Sequence, residues 1–189
     1  MKPPHPAKAH VSQARWEVAA VALTGLAGVF IALGHDGRRV AQLVVLLLPL
    51  LAWLGWPVTS PAVQALRRMA VWLWVMLFAL DGAARAFLLD AYQAAPDGAL
   101  VLGAVANTNG REGTEYLQAH WRAVLLWLAA VSAAGVFAWR LAGRGRRSAS
   151  PAGVPKWLLA ALALAVLASA IGYASKPWRR LHPLAFWSN

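Results

Sequence analysis

Five apolar stretches, separated by shorter polar segments, dominate the pattern of the chain. They cover about 18–33, 40–56, 69–89, 123–139 and 157–173. With their flanks, each approaches the ~20 residues that a helix needs to cross ~30 Å of hydrocarbon. Strands of a membrane β-barrel would alternate between polar and apolar residues, and these stretches do not. Helices are the other structure that satisfies its backbone hydrogen bonds within lipid. The pattern therefore predicts an all-α membrane protein whose five transmembrane helices lie within residues 1–175.

Composition supports a membrane protein over a soluble one. Hydrophobic residues make up 60% of the 189 positions and charged residues only 13%, whereas soluble domains carry about a quarter charged residues. The absence of cysteine excludes a disulfide scaffold and a cysteine-based zinc or redox site. The net charge of +11 would suggest nucleic acid in a soluble protein, but in a membrane protein it is typical of cytoplasmic loops. We expect no nucleic-acid partner.

The distribution of positive charge predicts the orientation. The segment between the fourth and fifth stretches carries no acid and five basic residues, namely Arg140, Arg144, Arg146, Arg147 and Lys156. The positive-inside rule places such a segment in the cytoplasm. Five spans then put the N-terminus in the cytoplasm and the C-terminus in the periplasm of a bacterial inner-membrane protein. Residues 90–122 become a long periplasmic loop.

This periplasmic loop carries signs of local structure. Loops of this length are usually functional or disordered, and the apolar residues at 99–105 favour a short interfacial helix over disorder. The dipeptide Asn109-Gly110 predicts a break. Asn109 with Glu112 three residues later matches a capping-box pattern, so a second helix is expected to begin there.

The start of that second helix gathers candidate binding groups. Helical spacing places Glu112, Glu115 and Tyr116 on one face, with Thr108 just before Asn109. Carboxylates can hold an ammonium group while helix N-terminal amides receive a phosphate, and a zwitterionic lipid headgroup carries both. The alternative is that these residues only cap and solvate a surface helix.

Asp81 and Arg85 stand four residues apart near the outer end of the third span. This spacing predicts a helical ion pair, although ionisable groups at membrane depth are also candidates for function, and both readings stay open. The five histidines are scattered, so no metal site is expected. Gly25 and Gly28 predict close helix–helix contact in the first span.

Two segments resemble the membrane domain of phosphoethanolamine transferases, the lipopolysaccharide-modifying enzymes of Gram-negative bacteria. They are DGAARAFLLDAY at 81–92 and TNGREGTEYL at 108–117. The family has a tyrosine after the third span, then Thr-Asn/Asp-x-x-Glu-Ala-x-Glu-Phe/Tyr-Leu. Residues 176–189 resemble the start of the linker to the catalytic domain. Gly113 departs from the usual alanine, and Ala104 stands where some relatives carry asparagine.

The resemblance implies roles for individual residues. Thr108 and Glu112 correspond to residues that hold the phosphoethanolamine headgroup, while Asn109, Glu115 and Tyr92 belong to the same motif. In the family, a zinc-bound threonine of a periplasmic sulfatase-like domain moves phosphoethanolamine from phosphatidylethanolamine to lipid A or a core sugar.

Only about fifteen residues follow the fifth span, so we expect neither catalytic residues nor a cofactor in this chain. The zinc is expected in a periplasmic catalytic domain, covalently linked or separate. The resemblance therefore implies a membrane-anchoring domain that presents donor lipid, has no transferase activity alone, and has phosphatidylethanolamine and other membrane lipids as partners. A small inner-membrane accessory or scaffold protein without a lipid substrate explains the hydropathy and the charge equally well.

Overall fold

The computed structural model describes residues 6–93, 98–145, 156–174 and 182–187. Within these ranges the chain forms helices and no strand, which confirms the all-α prediction. A 3-10 turn, Trp53–Gly55, follows the second helix. The helices are α1 (Pro6–Gly34), α2 (Gly37–Ala52), α3 (Pro61–Tyr92), α4 (Gly98–Asn107), α5 (Gly110–Ala142), α6 (Lys156–Ala174) and α7 (Pro183–Trp187).

Four helical segments are long and apolar enough to cross a membrane. They are Trp16–Gly34, Gly37–Gly55, Pro61–Tyr92 and Gly110–Ala142. They cover the first four predicted spans, except that the second segment ends at Gly55, one residue before the predicted end. The fifth predicted span falls on α6, which has 19 residues, of which the described apolar part is Ala163–Ala174. The fifth span and the orientation stay predictions.

The core forms where α3 packs between α1 and α5. On α1 a buried row repeats every fourth residue, as one face of a helix requires, and alternates small with large side chains. This row meets apolar side chains of α2, α3 and α5. The α1 row comprises Ala19, Leu23, Ala27 and Ile31, each at most 1% exposed.

The closest approach of α1 to α3 lies at the end of α1 near Gly34 and Gly82. A Cβ atom on Gly34 would lie 2.6 Å from the carbonyl oxygen of Gly82, and one on Gly82 would overlap the backbone of Phe30. The prediction of close contact at Gly25 and Gly28 is wrong, because no atom of the described residues lies within 4 Å of a Cβ placed on either glycine. Both glycines lie beside the buried row of α1 and not on it.

Polar side chains within the bundle bond to the backbones of neighbouring helices. Trp72 Nε1 on α3 donates to the carbonyl of Gly135 on α5 at 2.9 Å. Ser169 Oγ on α6 donates to the carbonyl of Val45 on α2, also at 2.9 Å. Such bonds tie transmembrane helices together, since lipid offers polar groups no partner.

The short helix α7 folds back onto the bundle and contacts α3 and α4. His182, just before it, is buried, and its ring packs 5.2 Å from Trp74 and 5.5 Å from Phe78 between ring centroids. Burial lowers the pKa of His182, against an opposing effect of the Asp81 carboxylate. The ring is therefore uncharged at neutral pH and packs as an aromatic group.

Candidate functional site

A groove of about 880 Å³ opens between the end of α3, α4 and the start of α5. Its size lies within the usual range of ligand sites. Most of its surface is apolar, and the polar groups gather where α4 gives way to α5. We call this space the α3–α5 groove. It is lined by Phe87, Leu88, Tyr92, Val101, Ala104, Val105, Thr108, Asn109, Gly110, Glu112, Gly113, Tyr116 and Leu117.

The polar end of the groove is built by the cap of α5. Asn109 has an extended backbone, and its Oδ1 accepts a bond from the amide of Glu112 at 3.0 Å. Its Nδ2 donates to Glu112 Oε1 at 2.8 Å, so the two side chains fix each other. This is the N-cap that the sequence predicts, with Asn in the capping role. The reciprocal bond holds the Glu112 carboxylate at the mouth of the groove.

Thr108 lies at the junction between the two helices. Its Oγ1 donates to the carbonyl of Ala104 at 2.8 Å, which uses the hydroxyl hydrogen and leaves the oxygen lone pairs as acceptors. Its methyl carbon would lie 3.8 Å from a Cβ placed on Gly113. Thr108 is therefore fixed from the α4 side and faces the first turn of α5.

Aromatic side chains close the end of the groove next to α3. The Phe87 and Tyr116 rings meet edge to face with centroids 6.5 Å apart, and Tyr116 lies 4.6 Å from the ring of His120. Tyr92, 60% exposed, lines the same end. The groove thus offers an apolar and aromatic floor beside the Glu112 carboxylate and the Thr108 hydroxyl.

Glu115 is not among the residues that line the groove. Its Oε1 accepts a bond from Arg111 Nε at 2.9 Å, and the Arg111 and Glu115 side chains are 89% and 62% exposed. Glu112 and Glu115 are three residues apart, so their directions around α5 differ by about 60°, and only Glu112 lines the groove. Of the five predicted binding residues, the structure brings Tyr92, Thr108, Asn109 and Glu112 together and leaves Glu115 outside.

Asp81 and Arg85 belong to a second polar cluster, which is buried. Arg85 Nε donates to Asp81 Oδ1 at 3.0 Å, and His35 Nε2 lies 3.1 Å from Asp81 Oδ2. Trp187 Nε1 donates to Asp81 Oδ1 at 2.8 Å. The side chains of His35, Asp81 and Arg85 are 2%, 3% and 8% exposed. We call these residues, with Trp187, the Asp81 cluster.

Sequence reasoning did not identify two members of the Asp81 cluster. His35 is 46 residues and Trp187 is 106 residues from Asp81 along the chain. The sequence feature that could have indicated further partners is the position of the Asp81 carboxylate in an apolar span, because a buried carboxylate needs more than one partner. In the part of the chain that the structure describes, no group of three or more His, Asp or Glu side chains is arranged to hold a metal ion.

Comparison with known proteins identifies the family. The family model of phosphoethanolamine transferase EptA/EptB matches residues 58–181, a range that includes the whole α3–α5 groove. Comparisons with curated proteins and with solved structures give no match. Since the matched range covers more than half of the chain, this protein belongs to the phosphoethanolamine transferase EptA/EptB family.

Proposed function

We propose that this chain anchors a phosphoethanolamine transferase in the bacterial inner membrane and holds its donor lipid, phosphatidylethanolamine, in the α3–α5 groove. The observation that carries the proposal is the lining of this groove, in which an apolar floor ends at a carboxylate and a hydroxyl. A phospholipid has the same division between acyl chains and headgroup. The catalytic domain, with its zinc, would receive the lipid from the open side and transfer phosphoethanolamine to lipopolysaccharide.

The polar end of the groove matches the charges of an ethanolamine phosphate. Glu112 supplies a carboxylate for the ammonium group, and only its Oε1 is used by Asn109. The first amides of a helix have no intrahelical partner, and at α5 these belong to Gly110 and Arg111. They favour an anion both as hydrogen-bond donors and through the helix dipole. The Thr108 hydroxyl precedes both groups in sequence and lies at the same helix junction.

The apolar part of the groove suits the acyl chains. Val101 and Val105 project from α4, and Leu117 from the second turn of α5. Val105 and Leu117 are 67% and 53% exposed, which is unfavourable in water but not against lipid. A ligand that is apolar over most of its length and charged at one end is thus favoured over a small soluble ion.

The length of α5 supports a groove on the periplasmic side. Its 33 residues correspond to about 50 Å at ~1.5 Å per residue, more than the ~30 Å hydrocarbon layer. The capped end at Gly110 and the end that carries Arg140 and Arg144 would therefore lie on opposite sides of the membrane. If the basic end is cytoplasmic, as the positive-inside rule predicts, the headgroup end faces the periplasm.

The test compares two carboxylates of the same helix. Wild-type protein, Glu112→Gln and the matched control Glu115→Gln are purified under identical conditions, and the retained lipids are extracted and quantified. We expect enrichment of phosphatidylethanolamine over phosphatidylglycerol in the wild type and in Glu115→Gln, with a several-fold loss in Glu112→Gln. In an intact transferase, Glu112→Gln should also strongly reduce transfer at normal expression.

Two outcomes contradict the proposal. Equal retention by Glu112→Gln and wild type would remove Glu112 from the headgroup site. A wild-type protein that retains no more phosphatidylethanolamine than the membrane average would favour the accessory or scaffold function.

A further inference from the structure

We propose that the Asp81 cluster positions α4, one wall of the α3–α5 groove, through the short helix α7. Asp81, Arg85 and Trp187 are then positioning residues of the groove, although none of them lines it. The assignment of a lipid to the groove rests on the proposed function, whereas the position of α4 can be measured without any lipid.

The Asp81 carboxylate joins three separate parts of the chain. It accepts from Arg85 within α3, lies in bonding distance of His35 beyond the end of α1, and accepts from Trp187 at the end of α7. Of these contacts, the bond from Trp187 is the one that fastens α7. A hydrogen bond to a charged acceptor is stronger than one between neutral groups, so this half-buried bond is substantial for a helix of five residues.

A second contact strengthens the same attachment. The Arg85 guanidinium carbon lies 3.5 Å from the centroid of the Phe186 ring, a cation–π arrangement. Asp81 in turn fixes the guanidinium through its bond to Arg85 Nε. The two aromatic residues at the end of α7 are therefore held by two charged residues of one turn of α3, and His182 anchors the other end of the segment among the aromatic rings of α3.

α4 depends on α7 for its position. Among the described residues, α4 makes more contacts with α7 than with any other single element. A ten-residue helix is marginal on its own, and this one has a glycine, Gly103, in its interior, which weakens it further. Because α4 supplies Val101, Ala104 and Val105 to the groove, a shift of α7 would be passed to the groove wall.

The experiment measures the position of α4 directly. The chain has no cysteine, so Leu33→Cys on α1 and Leu102→Cys on α4 give a unique pair of spin-label sites. Both side chains are about half exposed, and neither lines the groove. Distances between the labels are measured by pulsed electron paramagnetic resonance in the full chain, reconstituted in nanodiscs.

Trp187→Phe is the test variant, because it keeps an aromatic ring and removes the N–H donor. Trp72→Phe is the matched control, since it removes an N–H bond of similar length to Gly135 within the α3–α5 contact. We expect Trp187→Phe to broaden or displace the distance distribution and Trp72→Phe to leave it unchanged. Trp187→Ala should give a larger effect than Trp187→Phe.

Unchanged distances in both Trp187 variants would overturn the proposal. So would an equal change in Trp72→Phe, because the effect would then reflect general loosening of the bundle. The lipid-retention experiment with Glu112→Gln and Glu115→Gln is independent of these distances. A failure of the lipid assignment and a failure of the positioning role are therefore distinguishable.

Discussion

Arg85→Ala should destabilise the protein far more than Arg111→Ala, although the two arginines make nearly the same contact. Each donates through Nε to a carboxylate four residues away in the same helix, at 3.0 Å for Arg85 and 2.9 Å for Arg111. The difference lies in burial, since the Arg85 and Arg111 side chains are 8% and 89% exposed. The comparison isolates the effect of the environment on an ion pair.

The magnitudes follow from what each substitution leaves behind. Removal of one partner of a buried pair costs about 3–5 kcal/mol, because the other charge stays buried. Asp81 would keep His35 and Trp187 as partners, so we expect the lower end, about 3 kcal/mol. An exposed helical pair contributes about 0.3–0.5 kcal/mol. A positive charge in the first turn also opposes the helix dipole, so Arg111→Ala should be close to neutral.

The assay is reversible unfolding in mixed micelles by increasing sodium dodecyl sulfate, followed by circular dichroism. Asp81→Asn/Arg85→Ala completes the test, since removal of both charges leaves no unpaired ion and should cost less than the sum of the single substitutions. A difference below about 1 kcal/mol between Arg85→Ala and Arg111→Ala would refute the reasoning, because burial predicts more than twice that.

Two further predictions concern glycines and use the same unfolding measurement. Gly82→Ala should cost about 1–3 kcal/mol or more, because the new methyl group overlaps the backbone of Phe30. Gly28→Ala, with open space around it, should be neutral or slightly stabilising, and a loss equal to that of Gly82→Ala would contradict the geometry. Gly113→Ala should add about 0.5–1 kcal/mol of helix stability, since its Cβ meets only the Thr108 methyl group, at 3.8 Å. Lower stability or lost phosphatidylethanolamine retention in Gly113→Ala would show that the first turn of α5 needs glycine.

The features that the sequence predicts well are local along the chain. The cap of Asn109 on Glu112 and the contact of Asp81 with Arg85 both follow from helical spacing of three or four residues. Helix periodicity alone brings such residues together, whatever the rest of the fold does. The position of Thr108 beside this cap is predictable for the same reason, because Thr108 directly precedes Asn109.

The hydropathy pattern locates helices but underestimates their length. The third and fourth stretches begin at 69 and 123, whereas α3 begins at Pro61 and α5 at Gly110. Hydropathy detects the part of a helix that suits hydrocarbon, and a helix that continues into water or the interface changes composition without changing structure. The α3–α5 groove forms from the extension of α5 together with α4 and the end of α3.

The sequence pattern does not predict contacts between segments that are distant along the chain. Apolar residues lie on all sides of the first span, so periodicity does not reveal which face of α1 meets α3, and Gly25 and Gly28 could not be distinguished from Gly34 by composition. His35 contacts Asp81 across 46 residues. Only the rotation of whole helices about their axes, which packing decides, brings it there.

The two polar clusters differ in what they leave available to a ligand, and this difference favours separate roles. Asp81 accepts three bonds from protein donors and is 3% exposed, so its remaining capacity to bind a ligand is small. Glu112 is exposed, has one oxygen engaged by Asn109, and keeps acceptor sites on the other. A carboxylate already satisfied by the protein holds helices in place, whereas one with open acceptors beside an apolar groove can receive an ammonium group. On this argument, Glu112→Gln should change which lipid is held, and Trp187→Phe should change how firmly the wall of the groove is held.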